Sequence, residues 1–411
     1  MRTVNSCYCR KFHRFNVPAS SIFRAAALLL LPVHAYAQLT GSATATSQYS
    51  GTSNIFAADT AGGTAAENGA ARSATSLTYG ASADGRYQWS RQQFYVTANF
   101  TQSDYRQQLD LNHYEYTLDT GLKWQLGEIL DGGLDVSRTR AMVPFLDLTG
   151  SVISQNLSLL TGQTETMQVG VKLDSEWKLL GSVSHTESTQ SSVGIANQEL
   201  RQTSGTASLE YAGFGPFTSG LTATYTSGDA SGADVARNPP FAQYTAGLLA
   251  IYKFSRTSFD GQVTYTRRTY SDEALDTVSG LTGSIAFNDQ LTPKTGITVN
   301  ITRAINVQYL NLGSEVDTSA SLGLTWQATY KIGVTVGYMF NYRDFPIQSG
   351  GDTIDHEQVA SLAISYHPVR WLSIATYGDY QTRSSNAAGR NFDSTQYGVS
   401  ISATVGNEGT K

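Results

Sequence analysis

From Ala74 to Val405, apolar and polar side chains take alternate positions along much of the chain. Tyr114, Tyr116, Leu118, Leu122, Trp124 and Leu126 interleave with Glu115, Thr117, Asp119, Gly121, Lys123 and Gln125. Phe259, Val263 and Tyr265 interleave with Asp260, Gln262, Thr264, Thr266 and Arg268. Val316, Ala320, Leu322, Leu324 and Trp326 oppose Glu315, Asp317, Ser319, Ser321, Thr325 and Gln327, and the same alternation marks 332–343 and 396–405. A period of two with one greasy and one wet face is the signature of β-strands. The segments run on the order of 11–14 residues, where a strand crossing a bilayer needs about 9–11 and soluble strands peak near 5–6. Charges sit in the middle of the polar face, and Tyr, Phe and Trp gather near the ends of the apolar face. These features predict an all-β fold, a transmembrane antiparallel up-and-down β-barrel rather than a soluble sandwich.

Connections alternate between short and long. Short ones fall near Tyr87–Arg91, Gly127–Gly133, Ser175–Lys178, Gly213–Pro216, Ser255–Thr257, Asp289–Lys294, Ala328–Lys331 and His367–Arg370. Long ones fall at Asp104–Asn112, Ala141–Gln163, Gln190–Gln198, Gly228–Pro240, Ser271–Leu275, Gln308–Ser314, Asp344–Ile354 and Ser384–Asn391. Barrels of the outer membrane have short periplasmic turns and longer outside loops. Trp89, Trp124, Trp177, Trp326 and Trp371 all lie at or beside a short turn, which predicts a periplasmic aromatic belt. The alternation from residue 74 yields about 17 strands, the first of which descends, so an ascending strand must precede it if the count is even. Gln38–Tyr49, with Ala43, Ala45 and Tyr49 in alternation, is the candidate. The expected total is then about 18 strands with both ends in the periplasm, and 16 is the alternative if the weak segment near Leu134 or the first strand fails. Gly51–Arg72 becomes the first outside loop. Within Ala141–Gln163, Pro144, Phe145 and Leu146 are candidates for a constriction folded into the lumen.

The first 37 residues follow another rule. Arg2, Arg10, Lys11, Arg14 and Arg24 precede any acidic residue, Ala25–Val33 is a short apolar run, and Ala35-Tyr36-Ala37 fits a cleavage site ahead of Gln38. This is the layout of a secretory signal peptide, with residues 38–411 as a single barrel domain in the outer membrane. Cleavage removes five basic residues, so the formal net charge falls from −5 to −10. It also removes Cys7 and Cys9, which excludes disulfides and thiolate metal sites from the remainder. A negative chain with no basic run argues against nucleic-acid binding. No later stretch approaches the 18 or so apolar residues of a transmembrane helix.

No phosphate-binding loop, GxSxG or HExxH motif occurs; His356-Glu357 is followed by Gln358-Val359-Ala360, without a second histidine. His113, His185, His356 and His367, the histidines that survive cleavage, fall near strand ends or loops. No catalytic residue, cofactor or metal is therefore expected, and a hydrolase at the barrel mouth is the least favoured of three functional readings. Alternation points Glu115, Asp119, Lys123, Lys172, Asp174, Glu210, Lys253, Asp260, Arg268, Glu315, Asp317, Lys331, Arg343, Asp379 and Arg383 into the lumen. Their signs nearly balance, so a hydrated path without steep ion selectivity is expected. Tyr95 and Tyr377 on the polar face are positioned to stack on the apolar faces of sugar rings.

The stretches 279–303, 326–345, 365–386 and 391–405 resemble the exopolysaccharide-biosynthesis outer-membrane barrel family EpsL. Ser137-Arg138-Thr139, Gln155-Asn156-Leu157 and Asn54-Ile55-Phe56 are also similar, the last departing from the family's usual Asn-Leu-Phe. The resemblance covers most of the chain after residue 37 and is strongest after about residue 255. The chain departs from many barrels in ending 406–411 as GNEGTK rather than on an aromatic residue. What the resemblance implies is a role in exopolysaccharide export, with outer-membrane lipid, the exopolysaccharide and periplasmic polysaccharide-export components as partners. A general diffusion porin for small solutes is the alternative. The physical pattern alone reaches a polar-lumen barrel and no further.

Overall fold

The computed structural model describes residues 39–56, 73–143, 145, 157–192, 195–232, 240–271, 277–307, 314–345, 353–387 and 390–407. The expected signal segment, residues 1–37, and residues 57–72 of the expected first loop lie outside the described residues. Eighteen strands follow one another: β1 (Leu39–Thr52), β2 (Ala74–Trp89), β3 (Gln92–Tyr105), β4 (His113–Leu126), β5 (Leu130–Met142), β6 (Ser158–Lys172), β7 (Trp177–Ser192), β8 (Ile195–Phe214) and β9 (Phe217–Gly232). They continue as β10 (Phe241–Phe254), β11 (Thr257–Tyr270), β12 (Val278–Thr292), β13 (Thr295–Val307), β14 (Ser314–Gln327), β15 (Ile332–Phe345), β16 (Thr353–Val369), β17 (Leu372–Ser385) and β18 (Phe392–Asn407). Every strand pairs antiparallel with its neighbours in sequence, and β1 pairs with both β2 and β18, so the sheet closes on itself. Closure leaves no edge strand with unpaired backbone groups, which a bilayer would penalise. Among the described residues there is no α-helix; a 3-10 turn spans Leu109–Leu111.

Both doubtful strands form. β1 satisfies parity, and the segment around Leu134 is β5, so the count is 18 rather than 16. One connection differs from expectation. β7 runs to Ser192 and β8 starts at Ile195, so the long loop expected at Gln190–Gln198 is instead a tall hairpin with Ser192 opposite Ile195. Ser, Gln and Asn in that stretch look like loop composition, yet the backbone pairs as strand.

Burial is inverted relative to a water-soluble protein. Leu281 is 65 % and Leu248 63 % exposed, whereas Thr264 and Thr266 are 2 % exposed. The apolar set of each strand therefore covers the outside, as a lipid-facing wall requires. The polar set turns inward and is dominated by hydroxyls that bond across strands. Thr44 and Thr404 meet at 2.8 Å, Ser204 and Thr226 at 2.9 Å, Thr206 and Thr224 at 2.9 Å, Ser208 and Thr222 at 2.9 Å, Thr245 and Thr266 at 3.0 Å, and Thr264 and Thr282 at 2.8 Å. Short side chains on the inward face keep the interior open, and barrels of 16–18 strands are wide enough to leave an aqueous channel.

Close strand approach depends on glycine at Gly247, where a Cβ would collide with the Val263 carbonyl oxygen and Thr264 Cα of β11. Backbone cannot step aside as a side-chain tip can. Gly247→Val is expected to destabilise the barrel by about 1–3 kcal/mol, the usual range for overpacking. Urea unfolding in detergent or lipid vesicles, with a lowered midpoint, checks this.

Candidate functional site: the lumen and its outer mouth

Register places thirteen of the expected charges on the inward face: Glu115, Asp119 and Lys123 of β4, Lys172 of β6, Glu210 of β8, Lys253 of β10, Asp260 and Arg268 of β11, Glu315 and Asp317 of β14, Arg343 of β15, and Asp379 and Arg383 of β17. Asp174 and Lys331 are corrections. Asp174 lies in the β6–β7 turn, where its Oδ1 accepts the backbone N–H groups of Glu176 and Trp177, each at 2.7 Å. Lys331 lies in the β14–β15 turn beside the ring of Tyr330, 5.5 Å from its centroid. Parity carried past a strand end no longer reports a face, because the pleat stops there. Trp89, Trp124, Trp177 and Trp326 stand at the short-turn ends of β2, β4, β7 and β14, and Trp371 lies in the β16–β17 turn. Three of them, Trp89, Trp326 and Trp371, are at least half exposed. Tyr95 and Tyr377 both face inward; Tyr95 donates its hydroxyl to Asp135, and Tyr377 accepts a bond from Gln48 at 2.9 Å.

Charges on the inner wall gather at the long-loop end of β14–β18. Arg343 sits between two carboxylates, its Nε 3.6 Å from Glu315 Oε1 and its Nη2 3.5 Å from Glu357 Oε2. Gln381 donates to the other oxygen of Glu357 at 2.6 Å. Asp355, fully buried, accepts from Arg390, whose Nε lies 3.2 Å from Oδ1. Arg383 donates to the Arg390 carbonyl at 2.8 Å and lies over the Phe392 ring at 4.9 Å. Opposite signs thus pair across neighbouring strands, so the mouth is ionic yet close to neutral. At the short-turn end, Lys178 reaches Asp131 at 2.9 Å. Paired wall charges hydrate a channel and set a weak local field; they do not build a single-sign filter.

Arg268 has a different role from the one alternation suggests. It is 4 % exposed and donates to Gln243 at 2.9 Å, to the Asn306 carbonyl at 2.8 Å and to the Ile305 carbonyl at 2.9 Å. Its plane covers the Phe241 ring at 4.6 Å. It ties β11 to β10 and to the ends of β13 and β14. Arg268→Gln is expected to cost about 2–5 kcal/mol of stability, because a buried and a part-buried carbonyl lose a charged donor. Reversal-potential measurements on the variant should show unchanged ion selectivity.

Above the ionic belt, on the β1–β6 side, three loop residues form a small apolar cap: Phe56, Leu111 and Phe145, each 4 % exposed or less. Phe56 and Phe145 meet edge to face, centroids 4.9 Å apart. Ile55, Tyr105, Met142 and Leu157 pack around them. Hydrogen bonds pin the approaches: Asn54 donates to the Asp393 carbonyl at 3.2 Å, Asn112 Oδ1 accepts from the Tyr105 N–H at 2.7 Å, and Glu115 accepts from the Met142 N–H at 2.8 Å. His113, buried beneath the cap, contacts the Leu111 carbonyl at 2.7 Å and Glu115 at 3.3 Å. Of the expected constriction residues, Phe145 takes part in the cap, while Pro144 and Leu146 lie outside the described residues. Beneath the cap is a cavity of about 640 Å³, bounded by Gln48, Asn54, Tyr105, Glu115, Asn341, Arg343, Glu357, Gln381 and Gln396 together with the cap's own Ile55 and Phe145. Amide, carboxylate, guanidinium and aromatic groups therefore converge on one chamber from both sides of the barrel.

Residues 236–405, from just before β10 into β18, match the family model described as "Putative beta-barrel porin 2". The match covers under half of the chain and agrees with the closed antiparallel β-barrel described above. No curated protein matches the sequence. Among solved structures, the barrel is similar to OccK5 (OpdH) of Pseudomonas aeruginosa, with 11 % identity and a TM-score of 0.46 over 90 % of this chain and 98 % of that one. OpdO of Pseudomonas aeruginosa gives 12 % identity and a TM-score of 0.45 over 90 % and 97 %. The FrpB iron transporter of Neisseria meningitidis (F3-3 variant) gives 10 % and 0.47, with 84 % of this chain covering 62 % of that chain. Likeness at this level does not extend to cargo.

Proposed function

We propose that the protein is an outer-membrane pore for polar, weakly charged solutes. The supporting observation is the inner wall, where Ser and Thr hydroxyls bonded across strands alternate with charges of both signs, some of them in ion pairs. Such a wall offers many weak hydrogen-bonding contacts and no deep electrostatic well. That suits a hydrated solute which must enter and also leave. Planar-bilayer recording of the purified chain tests this: steady conductance with a reversal potential near zero in a salt gradient is expected, and a sealed bilayer contradicts it.

A finer reading, exopolysaccharide export, draws on the sequence resemblance and on the chamber's mixture of amides, carboxylates and aromatic rings. A hydroxyl-rich polymer could exchange water for wall hydroxyls at little net cost. Deleting the gene should then abolish secreted exopolysaccharide and leave it trapped in the periplasm. Normal secretion in the deletion strain, with conductance intact in vitro, favours the small-solute porin.

A further inference from the structure

The outward face of β5–β9 is not built for lipid alone. On β15 the outward positions Ile332, Val334, Val336, Tyr338, Phe340 and Tyr342 stay apolar or aromatic for ten residues beyond the short turn. At about 2.5 Å of height per residue for a tilted strand, that spans the apolar band of about 25 Å. On β5 and β7 the corresponding runs stop at Val136 and Val183, six residues beyond Leu130 and Trp177. The apolar wall is therefore shorter by about 10 Å on this side.

What replaces it is ordered. One register row joins Arg138, Gln163, Glu187, Arg201 and Asp229 across five strands, all on the outward face. In its middle, Arg201 pairs with Glu187 at 3.4 Å and with Glu199 at 2.8 Å. At its ends stand an exposed arginine, Arg138, and an exposed aspartate, Asp229, which lies opposite Arg201 and acts on it electrostatically without closing to ion-pair distance. Directly below the row is a groove of about 890 Å³ floored by Gly181, Gly205, Ala207 and Ala223. Beside it rises a ridge of Tyr225, Tyr244 and Tyr265, the first two with ring centroids 5.1 Å apart. Opposite charges at the two ends of one row are what a two-fold contact requires of a single surface.

We propose that β5–β9 is the contact face of a homodimer in the outer membrane, with the two-fold axis along the membrane normal and passing near β7. Face to face, β5 of one copy meets β9 of the other. Arg138 then reaches the Asp229 of the second copy, twice per dimer. The polar rows are thereby kept from lipid tails. A phosphorylated lipid would suit the arginines but not Glu187, Glu199 and Asp229 in the same patch, so a second copy of the chain fits the charges better.

The full chain extracted in mild detergent should show a dimer mass by native mass spectrometry. Arg138→Asp should shift it to monomer, with at least a tenfold weaker association, and Arg138→Asp combined with Asp229→Arg should restore the dimer. Heat-modifiable migration on a denaturing gel confirms that each variant is a folded barrel. In intact outer membranes, Val183→Cys near the axis should form a disulfide-linked pair on mild oxidation, while Leu362→Cys on the far side should not. The proposal is overturned if the wild-type chain is monomeric and Val183→Cys does not cross-link, or if the double variant folds but stays monomeric. Bound lipopolysaccharide in place of a second copy, unaffected by the charge exchange, overturns it as well.

Discussion

Replacing Arg343 with methionine should destabilise the barrel by about 3 kcal/mol, because removal of one member of a buried ionic group leaves the others without counter-charge. The side chains of Arg343, Glu315 and Glu357 are 18 %, 16 % and 4 % exposed, so water cannot readily take the cation's place. Methionine keeps much of the volume and removes the charge, which separates electrostatics from packing. The same substitution leaves the mouth with one more net negative charge and should shift the reversal potential toward cation preference. Glu357→Gln, placed in the Arg343→Met background, should recover part of the lost stability and return selectivity toward neutral. A variant as stable as wild type would mean that lumen water screens the group fully.

The second large effect is expected at the cap. Phe56→Ala with Phe145→Ala removes both rings of the edge-to-face pair, and loss of a buried phenylalanine typically costs about 3–5 kcal/mol. The cap is made by loops, so the loss should appear as undocking of the loops rather than as unfolding of the barrel, whose closed sheet does not pass through it. Single-channel conductance should rise, and protease should cut near residue 145 in the double variant while the barrel core stays protected. Unchanged conductance would place the narrowest part of the path below the cap.

Much of this architecture is legible along the chain because strand periodicity is local. Tyr114, Leu118 and Trp124 against Glu115, Asp119 and Lys123 already specify which face of β4 is wet. Parity, a topological constraint, supplies β1 from a weak pattern of Ala43, Ala45 and Tyr49. Three kinds of feature are not local and do not show. Arg343, Glu315 and Glu357 can each be placed in the lumen singly, but their meeting depends on the register of β14–β16. Arg268 has the parity of a lumen charge, yet its hydrogen bonds run to carbonyls of β13, two strands away. Asp355 and Arg390, and the cap partners Phe56 and Leu111, belong to loops or strand ends where no periodicity operates. The hint at Phe145 came from an apolar cluster inside a long loop, a compositional signal. The charged row from Arg138 to Asp229 lies on the apolar parity of its strands. That conflict is visible in the sequence at Arg138 and Glu187, but it acquires meaning only when five strands stand side by side.

In the closed barrel, β1 presents alternate residues to water and to lipid. Single cysteines at Thr44, Thr46 and Gln48, and at Ala43, Ala45 and Tyr49, in the chain reconstituted in lipid vesicles and exposed to a water-soluble thiol reagent, test it most directly. Rapid labelling of the first three and protection of the second three are expected. Equal labelling of both sets would contradict it.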